Sequence, residues 1–262
     1  MEAKLGWKFI PEQITGNGGM NLAMAIKGEP ADGTVIGMVA SETMGYNMMA
    51  ANAGVTPDDY TAIASTAGFQ MGIVASCAKG WTSFADLVAA ANAGETVRMG
   101  VMTPKLADLA YLVGKAQGVD LNIISLQGGK AVMNGVNAGD MDAGFVAGIQ
   151  AKGVAAGDLV NLASALSVPL TQPPDAPTLG DLGVPFDADG YFLIIGPDDM
   201  PAEARDALNA AINDVISADG TKSNAMITKA FGGPAVMSAD EAQAMMEAQF
   251  VSAGELMKAA SA

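Results

Sequence analysis

Two short turns in the middle of the sequence carry the residues best suited to bind an anion. Thr103–Lys105 follows the apolar run VRMGVM, and Gln127–Lys130 follows the apolar run LNIISL. Each turn starts a predicted helix, whose first N–H groups are unpaired and carry partial positive charge. Together with a threonine hydroxyl and two lysine ammonium groups, these donors would suit a carboxylate or a phosphate. Open α/β sheets bind ligands at the carboxyl ends of their strands, where both turns are expected.

A simpler explanation stays open for the charged residues of these turns. Lys105 and Lys130 could be solvated surface charges, as most lysines are. Asp108, one turn into the first helix, is explained more simply by the positive end of the helix dipole than by catalysis. No paired-carboxylate arrangement is convincing, because the acids are scattered over predicted helix surfaces and turns.

The stretch TGNGGMN raises the different possibility of a dinucleotide-binding loop. Such a loop needs glycine at its first, third and sixth positions. Gly16 and Gly18 fit, but the sixth position is Asn21, and FIPEQIT is a poor strand to precede the loop. Glu42 could imitate the acid that binds a ribose. A nucleotide-dependent α/β enzyme using the Gly16–Gly19 loop therefore stays the alternative, beside a permissive turn before a helix.

Composition excludes several classes of function. Thirteen Lys and Arg against 28 Asp and Glu give a net charge of −15, which repels the phosphates of nucleic acids and of anionic membranes. The chain has no histidine, which excludes His-dependent catalytic pairs and His-containing metal sites. Cys77 is the single cysteine, and its apolar surroundings MGIVASCA favour a small core residue over a nucleophile. We expect no metal, no cofactor and no nucleic acid partner.

Predicted strands and helices alternate along the chain and would position these turns. Apolar runs predict strands at WKFI, TVIGMVA, VRMGVM, LNIISL, DAGFVAGI, LVNLA and GYFLIIGP. Helical stripes run over Gly18–Lys27, over Ser83–Gly94 with a capping box formed by Ser83 and Asp86, and over Thr103–Gly118 with Pro104 at the first helical position. This alternation predicts a parallel α/β sheet.

The remaining segments predict a hinge and a helical C-terminus. Gly45–Tyr60 is typical of a loose segment, and IASTAGFQMGIVAS behind it could cross between two lobes as a hinge. Two amphipathic helices are predicted at the C-terminus, one from Pro201 and one from a capping box formed by Ser238 and Glu241. The eighteen methionines are expected to fill the core rather than to bind metal.

No segment of the sequence predicts a membrane anchor. No run of 18 uninterrupted apolar residues occurs, which is the length that a spanning helix needs. The start MEAKLGWKFI has no continuous apolar h-region and no small-residue cleavage site. As written, the chain is expected to be soluble and to carry no signal peptide.

The order of these motifs resembles the periplasmic substrate-binding proteins of tripartite tricarboxylate transporters, the TctC-like or Bug family. The resemblance rests on TGNGGMN, PADGTVIGMVAS, SFADLVAAANAG, QGGKAVMNGVNAGDMDAGF, DAPTLGDLG and YFLIIGPDDMPAEARDALNAAI, in that order over nearly the whole chain. It implies a two-lobed type II periplasmic-binding-protein fold of the α/β class, a venus flytrap that is not an enzyme.

The resemblance also implies a function. Such a protein captures a small organic acid, commonly a di- or tricarboxylate, between its lobes and delivers it to membrane permease subunits. We expect a periplasmic monomer, with lobe one formed by residues 1–76 and 190–262 and lobe two by residues 77–189. The residues expected to bind the ligand are Ser41 in lobe one and, in lobe two, Thr103, Pro104, Lys105, Asp108, Gly128, Gly129 and Lys130. Thr103 and Lys105 would bind a carboxylate, while Lys130 and the glycines before it would add charge and backbone N–H groups.

The chain departs from the family pattern at three places. Family members begin with a strand, a glycine-rich loop and a helix whose last turn EAKLG resembles, so roughly 25 to 40 residues would be absent by ordinary element lengths. A missing strand would leave a gap in the sheet of lobe one, between WKFI and TVIGMVA. In lobe two, Asp108 stands where the family usually has His, and Val146 where it has an acid soon after Asp142. A truncated product that binds nothing is therefore a third possibility.

Overall fold

Within the described residues, the chain forms eight strands in two sheets. The structure, a computed structural model, describes residue 2, residues 6–171 and residues 175–262. The strands are β1 (Gly37–Ala40), β2 (Tyr60–Gly68), β3 (Met71–Ser76), β4 (Arg98–Val101), β5 (Asn122–Ser125), β6 (Ala143–Ala147), β7 (Leu159–Ser164) and β8 (Tyr191–Pro197). Six of the seven predicted strands are confirmed in place, although several are shorter than their apolar runs.

Nine helices accompany these strands in the described part of the chain. They are α1 (Met20–Lys27), α2 (Met48–Ala51), α3 (Phe84–Asn92), α4 (Pro104–Gln117), α5 (Gly129–Ala138), α6 (Ala151–Ala156), α7 (Ala202–Ser217), α8 (Lys222–Phe231) and α9 (Ala239–Ala260). The predicted capping boxes before α3 and α9 are confirmed, because the Asp86 carboxylate accepts the Ser83 N–H and the Glu241 carboxylate accepts the Ser238 N–H.

The chain divides into two compact units. Unit one comprises Met1–Gly68 and Gly190–Gly254, and unit two comprises Phe69–Asp189 and Glu255–Ala262. The passage from β2 to β3, within the predicted hinge, is the first crossing between them. Strand β3, which the lobe prediction assigns to lobe one, pairs with β6 and β7 of unit two. The predicted lobe boundaries themselves stay a prediction.

The two sheets are not parallel throughout, so the prediction of a parallel sheet is wrong in part. Unit one has the order β1-β8-β2, and both of its pairings are antiparallel. Unit two has the order β5-β4-β6-β3-β7, in which β4 runs parallel to β5 and β6, while β3 runs antiparallel to β6 and β7. The parallel strands are those joined by helical crossovers, which parallel pairing requires. Strand β8 is distant in sequence from β1 and β2, so no short helical crossover joins it to them and its pairing need not be parallel.

Helices cover both faces of the sheet of unit one. Leu193 and Ile195 of β8 belong to a buried cluster with Met20 and Ile26, whereas Ile194 between them belongs to a second cluster with Leu208 of α7. Side chains of successive strand residues point to opposite faces. Helix α1 therefore covers one face of this sheet and α7 the other.

The predicted strand WKFI is wrong. Trp7–Ile10 has no strand structure, and the Phe9 N–H donates to a Glu2 carboxylate oxygen at 2.9 Å rather than to a neighbouring strand. A strand needs a partner for its backbone, and no described strand pairs with this segment. Gly6 has the expected left-handed conformation, with a φ of 70°, but Lys4 of the predicted helical turn lies outside the described residues.

Three further expectations are wrong in detail. The segment predicted to be loose, Gly45–Tyr60, overlaps the buried π-helical turn Thr43–Asn47 and contains helix α2, because Met48 and Tyr60 pack into the core of unit one. Helix α8 was missed between the two predicted C-terminal helices. Cys77 is exposed at the end of β3 rather than buried, since the chain turns into a 3-10 helix at that residue.

Candidate functional site

The loops that follow β4, β5 and β6 lie at one edge of the sheet of unit two. Strand β4 is parallel to both of its neighbours, with Val101 opposite Ser125 and Gly100 opposite Gly144. The carboxyl ends of the three strands therefore point the same way. The two turns singled out in the sequence are the first two of these three loops.

The first loop starts helix α4 as predicted. Thr103 is the N-cap residue, its Oγ1 accepts the Leu106 N–H at a long 3.4 Å, and Pro104 occupies the first turn. Leu106 and Leu109 are fully buried on the inner side of the helix. This fixes the helix so that Lys105 and Asp108 lie on partly exposed positions near its N-terminus.

The second loop starts helix α5 with glycine instead of a capping side chain. Gly128 is the N-cap residue with a φ of 86°, a conformation that favours glycine. Its carbonyl accepts the N–H groups of Ala131 and Val132, at 3.0 and 3.2 Å. Gly128 and Lys130 are exposed, so the first turn of this helix presents its donors and its ammonium group to solvent.

Gly129 brings the three loops into contact. A Cβ added to Gly129 would lie 3.3 Å from the Met102 sulfur in the first loop and 3.8 Å from Ile149 Cδ1 in the third. The N-terminus of α5 is therefore packed between its two neighbours. Seven of the eight predicted site residues lie on the first two loops or on the helices that begin there.

The third loop carries a glutamine that the sequence analysis missed. Gln150, only 3 % exposed, donates from Nε2 to the Gln70 carbonyl at 2.9 Å. Gln70 precedes β3, and its Oε1 accepts the N–H and the hydroxyl of Thr171, both at 3.0 Å. Since Met71 pairs with Ala147, these amides lie at the same edge of the sheet. Their contact joins residues 80 positions apart along the chain, so no local signal in the sequence reveals it.

The pKa of Asp108 differs from its ordinary value. Burial raises it above 3.8, because the charged form loses part of its hydration when the side chain is partly enclosed. Asp108 is thus easier to protonate than a surface aspartate. This distinguishes it from the acids in the turns, whose pKa values are lowered by hydrogen bonds from threonine or serine, as at Asp86 and Asp181.

An ion cluster at the other ends of the strands is structural. Asp142, just before β6, accepts two hydrogen bonds from the Arg98 guanidinium, at 2.9 and 3.0 Å, and one from Lys79 at 3.0 Å. Burial alone would raise the pKa of Asp142, but these hydrogen bonds outweigh it and hold the pKa well below its usual range. The cluster ties the starts of β4 and β6 together, away from the three loops.

Ser41, the eighth predicted residue, lies in unit one and is fully buried. It follows β1, and its Oγ accepts the Tyr191 N–H from β8 at 3.0 Å. This hydrogen bond joins the two strands at their ends. The other seven residues belong to unit two.

The glycine loop of unit one is a packing element. The Gly18 carbonyl accepts hydrogen bonds from Thr43 Oγ1 at 2.8 Å and from Asn47 Nδ2 at 3.0 Å. A Cβ on Gly18 would lie 2.6 Å from the Asn47 side chain, and one on Gly19 would lie 2.5 Å from Thr43 Oγ1. The glycines therefore let the loop dock onto the π-helical turn.

A comparison with family models decides the identity of the chain. The model described as "Tripartite tricarboxylate transporter family receptor", TctC, matches residues 1–261. The chain belongs to this family. The receptor is therefore a binding protein and not an enzyme, and the alternative of a nucleotide-dependent enzyme is wrong. No match was found among curated protein sequences.

Solved structures match the receptor over nearly its whole length. BugD, described as a periplasmic binding protein, is 19 % identical with a TM-score of 0.86, over 99 % of this chain and 89 % of that one. Rpa4515 of R. palustris, described with adipate, is 20 % identical with a TM-score of 0.85 over the same shares. MatC of Rhodopseudomonas palustris, described with bound malate, is 16 % identical with a TM-score of 0.78, over 92 % and 85 %. The predicted α/β binding-protein fold is confirmed.

The helices of the receptor give one further finding. Among those in the described ranges, none combines the length and the apolar character that crossing a bilayer demands.

Proposed function

We propose that the receptor binds a small organic acid of the di- or tricarboxylate class and delivers it to the permease subunits of a tripartite membrane transporter. Membership of the family supports the delivery step. The neighbours described with adipate and with malate support the ligand class, because both are dicarboxylates. In this proposal the receptor works in the periplasm as a monomer.

The observation that carries the proposal is the pair of helix N-termini at the carboxyl edge of unit two. Helices α4 and α5 start beside one another on adjacent parallel strands, each with a lysine in its first turn. A helix N-terminus favours an anion through its unpaired N–H groups and its dipole. In a chain with a net charge of −15, two local sites of positive charge at one edge are well suited to holding a carboxylate.

Each predicted residue has a role in this proposal. Thr103 and Lys105 bind one carboxylate, with Pro104 fixing the start of the helix that carries them. Gly129 supplies a backbone N–H group and Lys130 supplies charge. The Gly128 N–H already donates to the Leu126 carbonyl at 3.0 Å, so Gly128 contributes the left-handed conformation, with a φ of 86°, from which the helix starts. Asp108, with its raised pKa, adjusts the charge of the site.

Ser41 is the proposed contribution of unit one. Its oxygen accepts the Tyr191 N–H, which leaves the hydroxyl hydrogen as a donor for a carboxylate. We propose that the lobes, residues 1–76 with 190–262 and residues 77–189, close on the ligand about the segment between β2 and β3. Greater affinity of the ligand for the closed state would drive this change.

A thermal-shift screen of the full chain tests the proposal. The compounds are adipate, malate, succinate and citrate, with acetate, NAD and ATP as controls. A ligand at about 100 times its Kd adds about 2.7 kcal/mol to the free energy of unfolding, which is a shift of several degrees in Tm. Stabilisation by at least one di- or tricarboxylate, and by neither nucleotide, is expected. If none of the acids stabilises the chain, the result supports the third hypothesis instead, a truncated product that binds nothing.

A further inference from the structure

Ile149 is a large apolar side chain that is exposed at the carboxyl edge of unit two. It lies in the third loop, directly after β6, and is 42 % exposed. Its neighbours in the chain, Gly148 and Gln150, are both buried. The exposure of Ile149 is therefore not that of a loose surface loop, because the residues on either side of it are packed into the protein.

A tight turn fixes the position of Ile149. The Ala151 N–H donates to the Gly148 carbonyl at 3.1 Å, and Gly148 has a φ of 92°, a conformation that favours glycine. On the other side of Ile149, the Gln150 amide donates to the Gln70 carbonyl at 2.9 Å. Both ends of the turn are thus held by hydrogen bonds, and Ile149 lies at its tip.

Two apolar side chains reach the first residue of helix α5. A Cβ added to Gly129 would lie 3.8 Å from Ile149 Cδ1, 3.8 Å from Met102 Cε and 3.3 Å from the Met102 sulfur. Ile149 and Met102 therefore lie beside the helix N-terminus that the proposed function assigns to a carboxylate. A carboxylate held there by hydrogen bonds of ordinary length would bring its carbon chain close to both side chains.

The third loop offers a ligand apolar atoms rather than hydrogen-bonding side chains. Residues 146–149 are Val, Ala, Gly and Ile. The amide of Gln150, which follows them, is buried and donates to the Gln70 carbonyl instead. A methylene chain gains free energy when it is buried against such side chains, whereas a hydroxyl group loses its bound water without finding a partner. This loop should therefore distinguish plain acids from hydroxylated ones.

We propose that Ile149 and Met102 form an apolar wall that selects acids with an unsubstituted hydrocarbon chain over hydroxylated acids of the same chain length. This inference rests on the proposed function, since it concerns the chain of the acid whose carboxylate the helix N-termini hold. The favoured ligands are saturated dicarboxylates such as succinate and adipate. Malate, tartrate and galactarate, whose chains carry hydroxyl groups, are disfavoured. Ile149 contacts the chain directly and determines this specificity.

Isothermal titration calorimetry of the full chain with two matched series of acids tests this specificity. Succinate, malate and tartrate share one carbon chain and differ only in their hydroxyl groups, as do adipate and galactarate. Tartrate has a hydroxyl on both inner carbons, so it cannot avoid the wall by binding in the reverse direction. We expect succinate to bind about tenfold more tightly than malate, tartrate to bind more weakly still, and adipate to bind at least about tenfold more tightly than galactarate.

Two substitutions of Ile149 assign the preference to this side chain. Ile149→Val and Ile149→Thr produce side chains of nearly the same shape, but only the second adds a hydroxyl that can bond to a hydroxyl of the ligand. We expect Ile149→Val to keep the preference for the plain acid to within about threefold, and Ile149→Thr to reduce it to about twofold or less. Because the position is exposed, both variants should have the same Tm without ligand. An unchanged preference in Ile149→Thr would overturn the proposal.

The titrations separate failure of this inference from failure of the proposed function. If the parent chain binds the plain and the hydroxylated acids equally, or prefers the hydroxylated ones, the apolar wall is refuted while the proposed acid site remains. If the parent chain binds no acid of either series and no citrate, the proposed function fails, and the inference that rests on it fails as well.

Discussion

Gly129 at the start of α5 lies against Met102, so that a Cβ on Gly129 would stand 3.3 Å from the Met102 sulfur. This close approach joins the loops that follow two adjacent parallel strands. It brings the two helix N-termini with their lysines to one edge of unit two. The proposed acid site depends on that convergence.

The glycine loop should tolerate no side chain at Gly19. In Gly19→Ala the new Cβ would meet Thr43, in addition to the strain of a φ of 92°. We expect a loss of about 2–4 kcal/mol in the free energy of unfolding, measured by urea denaturation. Gly54→Ala is the matched control, because Gly54 has a φ of 70° but nothing within 4 Å of its Cβ position. It should lose only about 1 kcal/mol, and an equal loss in both variants would show that the contact with Thr43 is unimportant.

The ion cluster should stabilise unit two. Arg98→Met leaves the buried Asp142 carboxylate with Lys79 as its remaining described cation. We expect a loss of about 1–3 kcal/mol at pH 7, because the buried Asp142 carboxylate loses hydrogen bonds while the Arg98 side chain is 38 % exposed. Arg205→Met, which breaks exposed pairs with Asp206 and Asp240, should cost at most about 1 kcal/mol. Urea denaturation of both variants measures the difference, and similar losses would contradict a structural role for the cluster.

The fall of the free energy of unfolding at acid pH should also depend on Asp142. Its pKa is lowered in the folded state, so its contribution is present above the unfolded value of 3.8 and is lost as the pH falls through the folded pKa. Asp142→Asn should therefore lower the free energy of unfolding at pH 7 and flatten its decline below about pH 4. Urea denaturation between pH 2 and pH 7 measures this dependence. If Asp142 contributed nothing, the free energy of unfolding would fall with pH in the same way in the parent and in Asp142→Asn.

Asp108 should affect the pH dependence of stability in the opposite direction to Asp142. Burial raises its pKa, so the folded state holds this proton more tightly than the unfolded state, and the resulting stability is lost as the pH rises through the folded pKa. Asp108→Asn should therefore gain stability relative to the parent above that pKa and gain none below about pH 3. Affinity for an organic acid should also rise at pH 7, because a negative charge near the site is removed. A pH-independent effect of this substitution would contradict the argument.

The local elements of the fold were largely readable from the sequence. The helix that begins at Thr103 and Pro104 has its cap, its fixed first φ and its apolar stripe within 15 residues of chain. The pairing of β8 was not readable in this way, since its antiparallel partners β1 and β2 lie more than 120 residues away in the chain. Cys77 was misplaced because an apolar run does not reveal where a strand ends.

The parts of the candidate site that lie at strand ends and helix starts could be predicted from the sequence. Lys105 and Lys130 could be brought to one edge because the crossover connections between β4, β5 and β6 make these strands parallel. Gln150 was missed because its burial depends on Gln70, 80 residues away along the chain. Such a contact leaves no local pattern.

Isothermal titration calorimetry of the lysine variants tests the central claim most directly. The parent chain and the variants Lys105→Ala, Lys130→Ala and Lys115→Ala are titrated with the dicarboxylate or tricarboxylate that binds best. Loss of a charged hydrogen bond costs about 1.5–3 kcal/mol, so we predict an affinity about 10- to 100-fold weaker in each of the first two variants. Lys115, in the last turn of α4, is the control and should leave the affinity unchanged. Unchanged affinity for every organic acid in both Lys105→Ala and Lys130→Ala would contradict the proposed site.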